Sequence, residues 1–145
     1  MPIFWAFAGS WVLERHVDDR LTGQQGRFAG EAWLTPGDGG LHYREEGQLI
    51  LPGRRPMHAE RCYQWQAENG KVAVYFDDGR PFHRFDPELV APEARHDCAP
   101  DTYDVAYDFS DWPRWRAVWV VTGPRKDYRM VSDYAPAQGQ AASTG

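Results

Sequence analysis

Cysteine is scarce: Cys62 and Cys98 are the only two in 145 residues. Two thiols cannot build a disulfide framework, and their separation lacks the close spacing of a zinc ribbon or redox pair. Reduced thiols in the cytoplasm are expected, with a single Cys62–Cys98 bridge left open. Long hydrophobic runs are missing too. The apolar start from Met1 to Ala8 has no positive flank and stops at Gly9-Ser10, short of a signal core or a membrane span, so no membrane partner is expected. There is no surplus of positive charge either. The net charge is -5 with Lys and Arg scattered among Asp and Glu, which leaves no basic stripe for a phosphate backbone, and nucleic acid is not expected as a partner. Phosphate loops, nucleophile elbows and HExxH motifs are lacking, and no cofactor is expected.

What the chain does have is aromatic rings and turn residues. Trp 7, Tyr 7 and Phe 7 supply the surface for a core, while Gly 14 and Pro 11 punctuate the chain and leave little helical periodicity. Alternation predicts strands over Ser10 to Asp18, Gly26 to Thr35, Gly40 to Leu51, Met57 to Glu68 and Lys71 to Asp77. Five more are predicted over Pro81 to Asp86, Ala94 to Cys98, Asp101 to Phe109, Arg114 to Thr122 and Lys126 to Tyr134. Asn69-Gly70 is the strongest hairpin signal, and Asp78-Gly79 follows it. Strands joined by tight turns form an antiparallel meander, and a meander this long closes on itself to remove its edges. The expected fold is all-β, a single antiparallel up-and-down barrel of about eight to ten strands. The barrel domain spans residues 1–134, with Phe4 to Ala8 as a short plug, and residues 135–145 form a flexible tail.

The more apolar alternate set of each strand should face the interior. That rule turns inward Trp11, Leu13 and Arg15; Phe28, Ala32 and Leu34; Leu41, Tyr43 and Glu45; Arg61, Tyr63 and Trp65; and Val72, Val74 and Phe76. Later strands contribute Tyr103, Val105 and Tyr107; Trp115, Ala117 and Trp119; and Tyr128, Met130 and Tyr134. It also sends Arg15, Glu45, Arg61, His96, Cys98 and Lys126 inside. Unpaired charge in a dry core costs several kcal/mol, so these groups either pair or line a wet cavity. Basic groups exceed the one inward carboxylate. Guanidinium groups fork onto a carboxylate or phosphate while rings cover an apolar body, which points to a small anionic aromatic or acyl ligand. The candidate ligand-binding residues are Arg15, Tyr43, Glu45, Arg61, Tyr63, His83, His96, Tyr103, Lys126 and Tyr128. A buried network of Arg15, Glu45 and Arg61 that only fixes strand register explains the same charges.

An enzyme using the cavity, of isomerase or hydrolase type, would draw its acid or base from His83 or His96, with Asp101 and Tyr103 completing the candidate catalytic set. His96 and Cys98 lie two apart on one strand face, and with Asp101 or His83 they offer a zinc-like donor set. A third reading has the barrel filled solid and its outer face binding a protein. Oligomeric state is not legible.

Gly9-Ser10-Trp11 resembles the Gly-x-Trp signature of the calycin superfamily, which includes lipocalins and intracellular fatty-acid-binding proteins. The resemblance implies a lipocalin-like closed barrel. In lipocalins a basic residue on a late strand packs over the signature Trp, and Lys126, Arg125 and Arg129 are the candidates for that role here. Five further segments resemble a bacterial family known only as a domain of unknown function. They are Trp11-Val12-Leu13-Glu14-Arg15, Tyr43-Arg44-Glu45-Glu46-Gly47, Asp78-Gly79-Arg80-Pro81-Phe82-His83, His96-Asp97-Cys98 with Asp101 and Tyr103, and Gly123-Pro124-Arg125-Lys126-Asp127-Tyr128. That family implies the same barrel and no established activity.

Overall fold

A computed structural model describes residues 2–137. After a short 3₁₀ helix, Phe4–Phe7, the chain runs through β1 (Gly9–Asp19), β2 (Gln25–Gly37), β3 (Gly40–Ile50), β4 (Met57–Glu68) and β5 (Lys71–Phe76). The second half contributes β6 (Pro81–Phe85), β7 (Glu93–Cys98), β8 (Asp101–Asp108), β9 (Trp115–Gly123) and β10 (Lys126–Pro136). All ten form one antiparallel sheet in the order β6-β5-β4-β3-β2-β1-β10-β9-β8-β7, so the first and last strands join by their own ladder. The barrel is up-and-down and nearly closed. Between β6 and β7 there is no ladder, and the full closure expected from the sequence is replaced by side chains that bridge the seam, described below.

Turn chemistry places the strands. Asn69 and Gly70 take φ of 52° and 75°, the left-handed pair that a two-residue hairpin needs, and they link β4 to β5. Gly30 of β2 faces Gly47 of β3, where the two strands approach so closely that side chains would collide with backbone. A Cβ on Gly30 would stand 2.1 Å from the Glu46 carbonyl oxygen, and one on Gly47 would stand 2.3 Å from that of Ala29. Absence of side chains at this pair lets β2 and β3 approach this closely, two residues along β3 from Glu45.

One end of the barrel is sealed. The Phe7 ring packs 5.0 Å from Trp112, 5.3 Å from Trp65 and 5.4 Å from Trp115, each edge-on, so the plug enters the core as the apolar start predicts. Trp11 is 1% exposed, and its indole Nε1 donates to the Phe7 carbonyl oxygen at 2.9 Å, fastening plug to barrel. Among the described residues, none of the three candidates Arg125, Lys126 and Arg129 covers Trp11 in the lipocalin manner. Trp11 lies opposite Pro136, whereas Arg129 lies opposite Asp18 and Lys126 opposite Gly123, which puts Arg125, Lys126 and Arg129 at the other end of the barrel. Trp112 and Trp115 pack on Trp11 instead. Strand β10 also continues to Pro136, with Ala135 opposite Val12, and the Ala137 amide donates to the Ser10 carbonyl. The expected tail therefore yields its first residues to the sheet, and its remainder, residues 138–145, lies outside the described residues.

Candidate functional site

Away from the plug the barrel opens into a cavity of 570 Å³, a size suited to a small organic ligand. The interior is not filled solid. Because inward residues recur at every second position, several strands contribute a column of lining side chains. Strand β4 supplies Arg61, Tyr63 and Trp65 from mouth to floor, and β10 supplies Tyr128, Met130 and Tyr134. Strand β6 breaks this rule. A bulge opposite Val74 and Tyr75 pairs them with His83 and Pro81, so the consecutive Phe82 and His83 are both buried and both line the cavity. Strict alternation cannot place both rings inside, and Phe82 was not legible as a lining residue.

The floor is an ion-pair network. Arg15 grips Glu45 with two parallel hydrogen bonds, Nη1 to Oε2 at 2.7 Å and Nη2 to Oε1 at 2.9 Å, while its Nε donates to the Ser132 hydroxyl at 2.7 Å. The Tyr43 hydroxyl donates to Glu45 Oε1 at 2.7 Å. With that proton committed, Tyr134 donates across 2.7 Å to the Tyr43 oxygen. Burial alone would lower the Arg15 pKa, but hydrogen bonding and charge from Glu45 hold it above its ordinary value. Burial alone would raise Glu45, and Arg15 and Tyr43 bring it below its ordinary value instead. Burial pushes Tyr134 up to about 12 and Tyr43 well above the ordinary tyrosine value. The network is thus a fixed pair of charges capped by two neutral phenols. Ser132, fully buried, is a member that sequence reasoning missed, since a lone serine gives no signal.

Arg61 is the charge left over. Among the described residues it makes no ion pair, and its one hydrogen bond there is Nη1 to the Tyr63 hydroxyl at 3.4 Å. It stands at the mouth, opposite Glu45 in the strand register, and its charge reaches Tyr128 of β10 across the opening. Glu45 is ion-paired with Arg15, and Arg61, within reach of the Glu45 charge, makes no ion pair of its own among the described residues. The chain after β5 brings Asp77, Asp78 and Arg80 to the same cavity; the sequence showed Asp77 as the end of a strand and Asp78 as the start of a turn, and neither as a lining residue. Arg80 donates from Nε to Asp78 Oδ2 at 2.7 Å and lies over the Phe76 ring.

Of the ten candidate ligand-binding residues, Arg15, Tyr43, Glu45, Arg61, Tyr63, His83, Tyr103 and Tyr128 line the cavity. Lys126 and His96 are not on its wall. Lys126 pairs with Asp101 at 3.1 Å on the rim. His96 sits at the seam, its ring edge-on to Phe82 at 5.3 Å. His83 latches the seam by sharing a 2.8 Å hydrogen bond between Nε2 and the Tyr107 hydroxyl. Burial, with a smaller push from His96, lowers the His83 pKa to about 3, so its imidazole is neutral near pH 7. Three of the candidate catalytic residues, His83, His96 and Tyr103, gather around Phe82, but His83 is bonded to Tyr107 and the fourth, Asp101, to Lys126.

The zinc-like set is not assembled either. Cys98 is exposed, Cys62 is half-buried, and both are free thiols. Among the described residues, the one trio of donors within reach of a single ion is Glu46, His58 and Glu60, on the outside of the barrel. There Arg44 Nη2 already bonds Glu46 at 2.9 Å and Glu60 at 3.1 Å, occupying the space between the carboxylates. No helix among the described residues is long and apolar enough to cross a membrane.

No curated protein matches the chain in sequence. Among solved structures, the S-type phycobiliprotein lyase CPES from Guillardia theta has a similar fold, with a TM-score of 0.67 and 8% identity over 94% of this chain and 92% of that one. At that identity the likeness is one of fold. Residues 7–136 match the profile of a family of unknown function, DUF6314, and by that match over nearly the whole barrel the chain belongs to this family.

Proposed function

We propose that the barrel binds a small organic anion with an aromatic or acyl body, and that Arg61 receives its charge. The observation that carries this reading is the unpaired Arg61 guanidinium standing over an aromatic cavity whose other inward cation, Arg15, is already satisfied by Glu45. A guanidinium presents a fork that matches a carboxylate or phosphate, and here it stays open to water through the mouth. The similar barrel is titled as a phycobiliprotein lyase, and its likeness supports the calycin-like, lipocalin-like architecture without carrying that activity over. The enzyme reading, with His83 or His96 as acid or base, draws less support, because a neutral His83 of low basicity is a weak proton acceptor near pH 7 and His96 is not on the cavity wall. Two free thiols agree with a reducing cytoplasm.

Thermal-shift screening of acyl, aromatic and phosphorylated organic anions against wild type and Arg61→Met tests the proposal. Methionine keeps the apolar stem and removes the fork, and Glu45 keeps its Arg15 partner, so the variant should melt like wild type. Ligands that raise the wild-type Tm should leave the variant unmoved. A wild type indifferent to the whole panel, or an equal shift in the variant, would overturn the reading.

A further inference from the structure

Three cations, Arg15, Arg61 and Arg80, and three carboxylates, Glu45, Asp77 and Asp78, line the cavity and its mouth. They do not act alike. Arg15 is closed off, with all three guanidinium nitrogens bonded within the floor network. Arg80 is held by Asp78 and by the face of Phe76, 5.3 Å away. On the rim, Lys126 is held by Asp101. Arg61 alone among these cations lacks a carboxylate partner, and Asp77 makes no ion pair among the described residues. One guanidinium is therefore available for one negative charge. A second charge on the ligand would find no unpaired cation and would share the cavity with the carboxylate of Asp77, which has no cation of its own to offset it.

The wall beside Arg61 sets the shape of the body. Its partner Tyr63 is nearly parallel to Phe82, with 24° between the rings at 5.7 Å. Phe82 in turn is nearly parallel to Trp119, at 14° and 5.1 Å. A carboxylate seated on Arg61 brings its attached group against this bank of similarly oriented rings, where a flat group makes offset or edge contacts that a coiled chain does not.

We infer that the cavity selects a flat aromatic monocarboxylate and rejects dianions such as phosphate monoesters and dicarboxylates, an inference that rests on the anion-binding reading above. Arg61 is the charge receptor, and Asp77 is the residue that sets specificity by repulsion.

Four matched naphthalenes test it by isothermal titration at about pH 8, where a phosphate monoester is a dianion because its second pKa is about 6. They are 2-naphthoate, 2-naphthyl phosphate, naphthalene-2,6-dicarboxylate and the neutral 2-naphthamide. The naphthoate should bind at least about tenfold more tightly than each of the others, the scale of one well-placed charge contact. In the Asp77→Asn variant, which leaves the Asp78–Arg80 pair intact, the phosphate should gain affinity severalfold while the naphthoate changes little. Phosphate or dicarboxylate binding as tight as naphthoate, or no gain in Asp77→Asn, would overturn the monoanion selection and leave anion binding standing. Amide binding as tight as naphthoate, or no binding by any of the four, would overturn anion recognition itself.

Discussion

The interior of this barrel is decided by a few polar side chains among many rings. Arg15 and Glu45 survive burial because each has its hydrogen bonds satisfied, and the guanidinium fork, Ser132 and Tyr43 supply them. His83 survives by staying neutral. Its folded pKa, about 3, lies below the ordinary value of 6.5, so the unfolded chain takes up a proton that the folded one refuses. Stability from this group is complete above about pH 6.5 and is lost as the pH falls toward 3. Chemical denaturation across that interval should show wild type losing up to about 1.4 kcal/mol per pH unit more than His83→Gln does. Equal slopes in the two proteins would mean that His83 is not buried as described. Arg15, Glu45 and Arg61 were legible as inward residues because each falls on the apolar phase of its strand. Their pairing was not, since alternation gives a face and no partner, and Ser132 carries no charge to betray it.

Elements are where the sequence spoke most clearly. The β4 limits, Met57 and Glu68, are those that alternation gives, and Asn69-Gly70 makes the hairpin its residue types favour. Two features lay beyond alternation. The β6 bulge is a shift in pairing between strands, which no single strand encodes, and it is what brings Phe82 to the wall beside His83. The pairing of β10 with β1 carries the chain to Pro136 and leaves the late basic residues far from Trp11, so the lipocalin-type stacking has no geometry here. The Gly30–Gly47 crossing is likewise a tertiary demand. Gly47→Ala would push a methyl carbon into the Ala29 carbonyl and should cost about 1–3 kcal/mol or more, seen as a lowered Tm. Gly37→Ala on β2 meets nothing within 4 Å and serves as the control. Equal melting of the two variants would refute the close crossing.

As a whole molecule the barrel has two unlike ends and one seam. The plug end is dry: Phe7, Trp11, Trp112 and Trp115 pack edge to face, and Trp115 stacks at 3.7 Å on Tyr134, the roof of the ion-pair network. The opposite end is open, and there Arg61 and Arg80 meet Tyr103 and Tyr128 around the mouth. The seam between β6 and β7 is held by Phe82 against His96 and by His83 bonded to Tyr107, so rings complete what the ladder leaves unfinished. This division gives a container with a charged entrance. Native mass spectrometry of the protein purified gently from its own host tests that claim most directly. A small anionic molecule should travel with wild type and be missing from Arg61→Met. A wild type with only the mass of its chain, or an adduct kept equally by the variant, would contradict it.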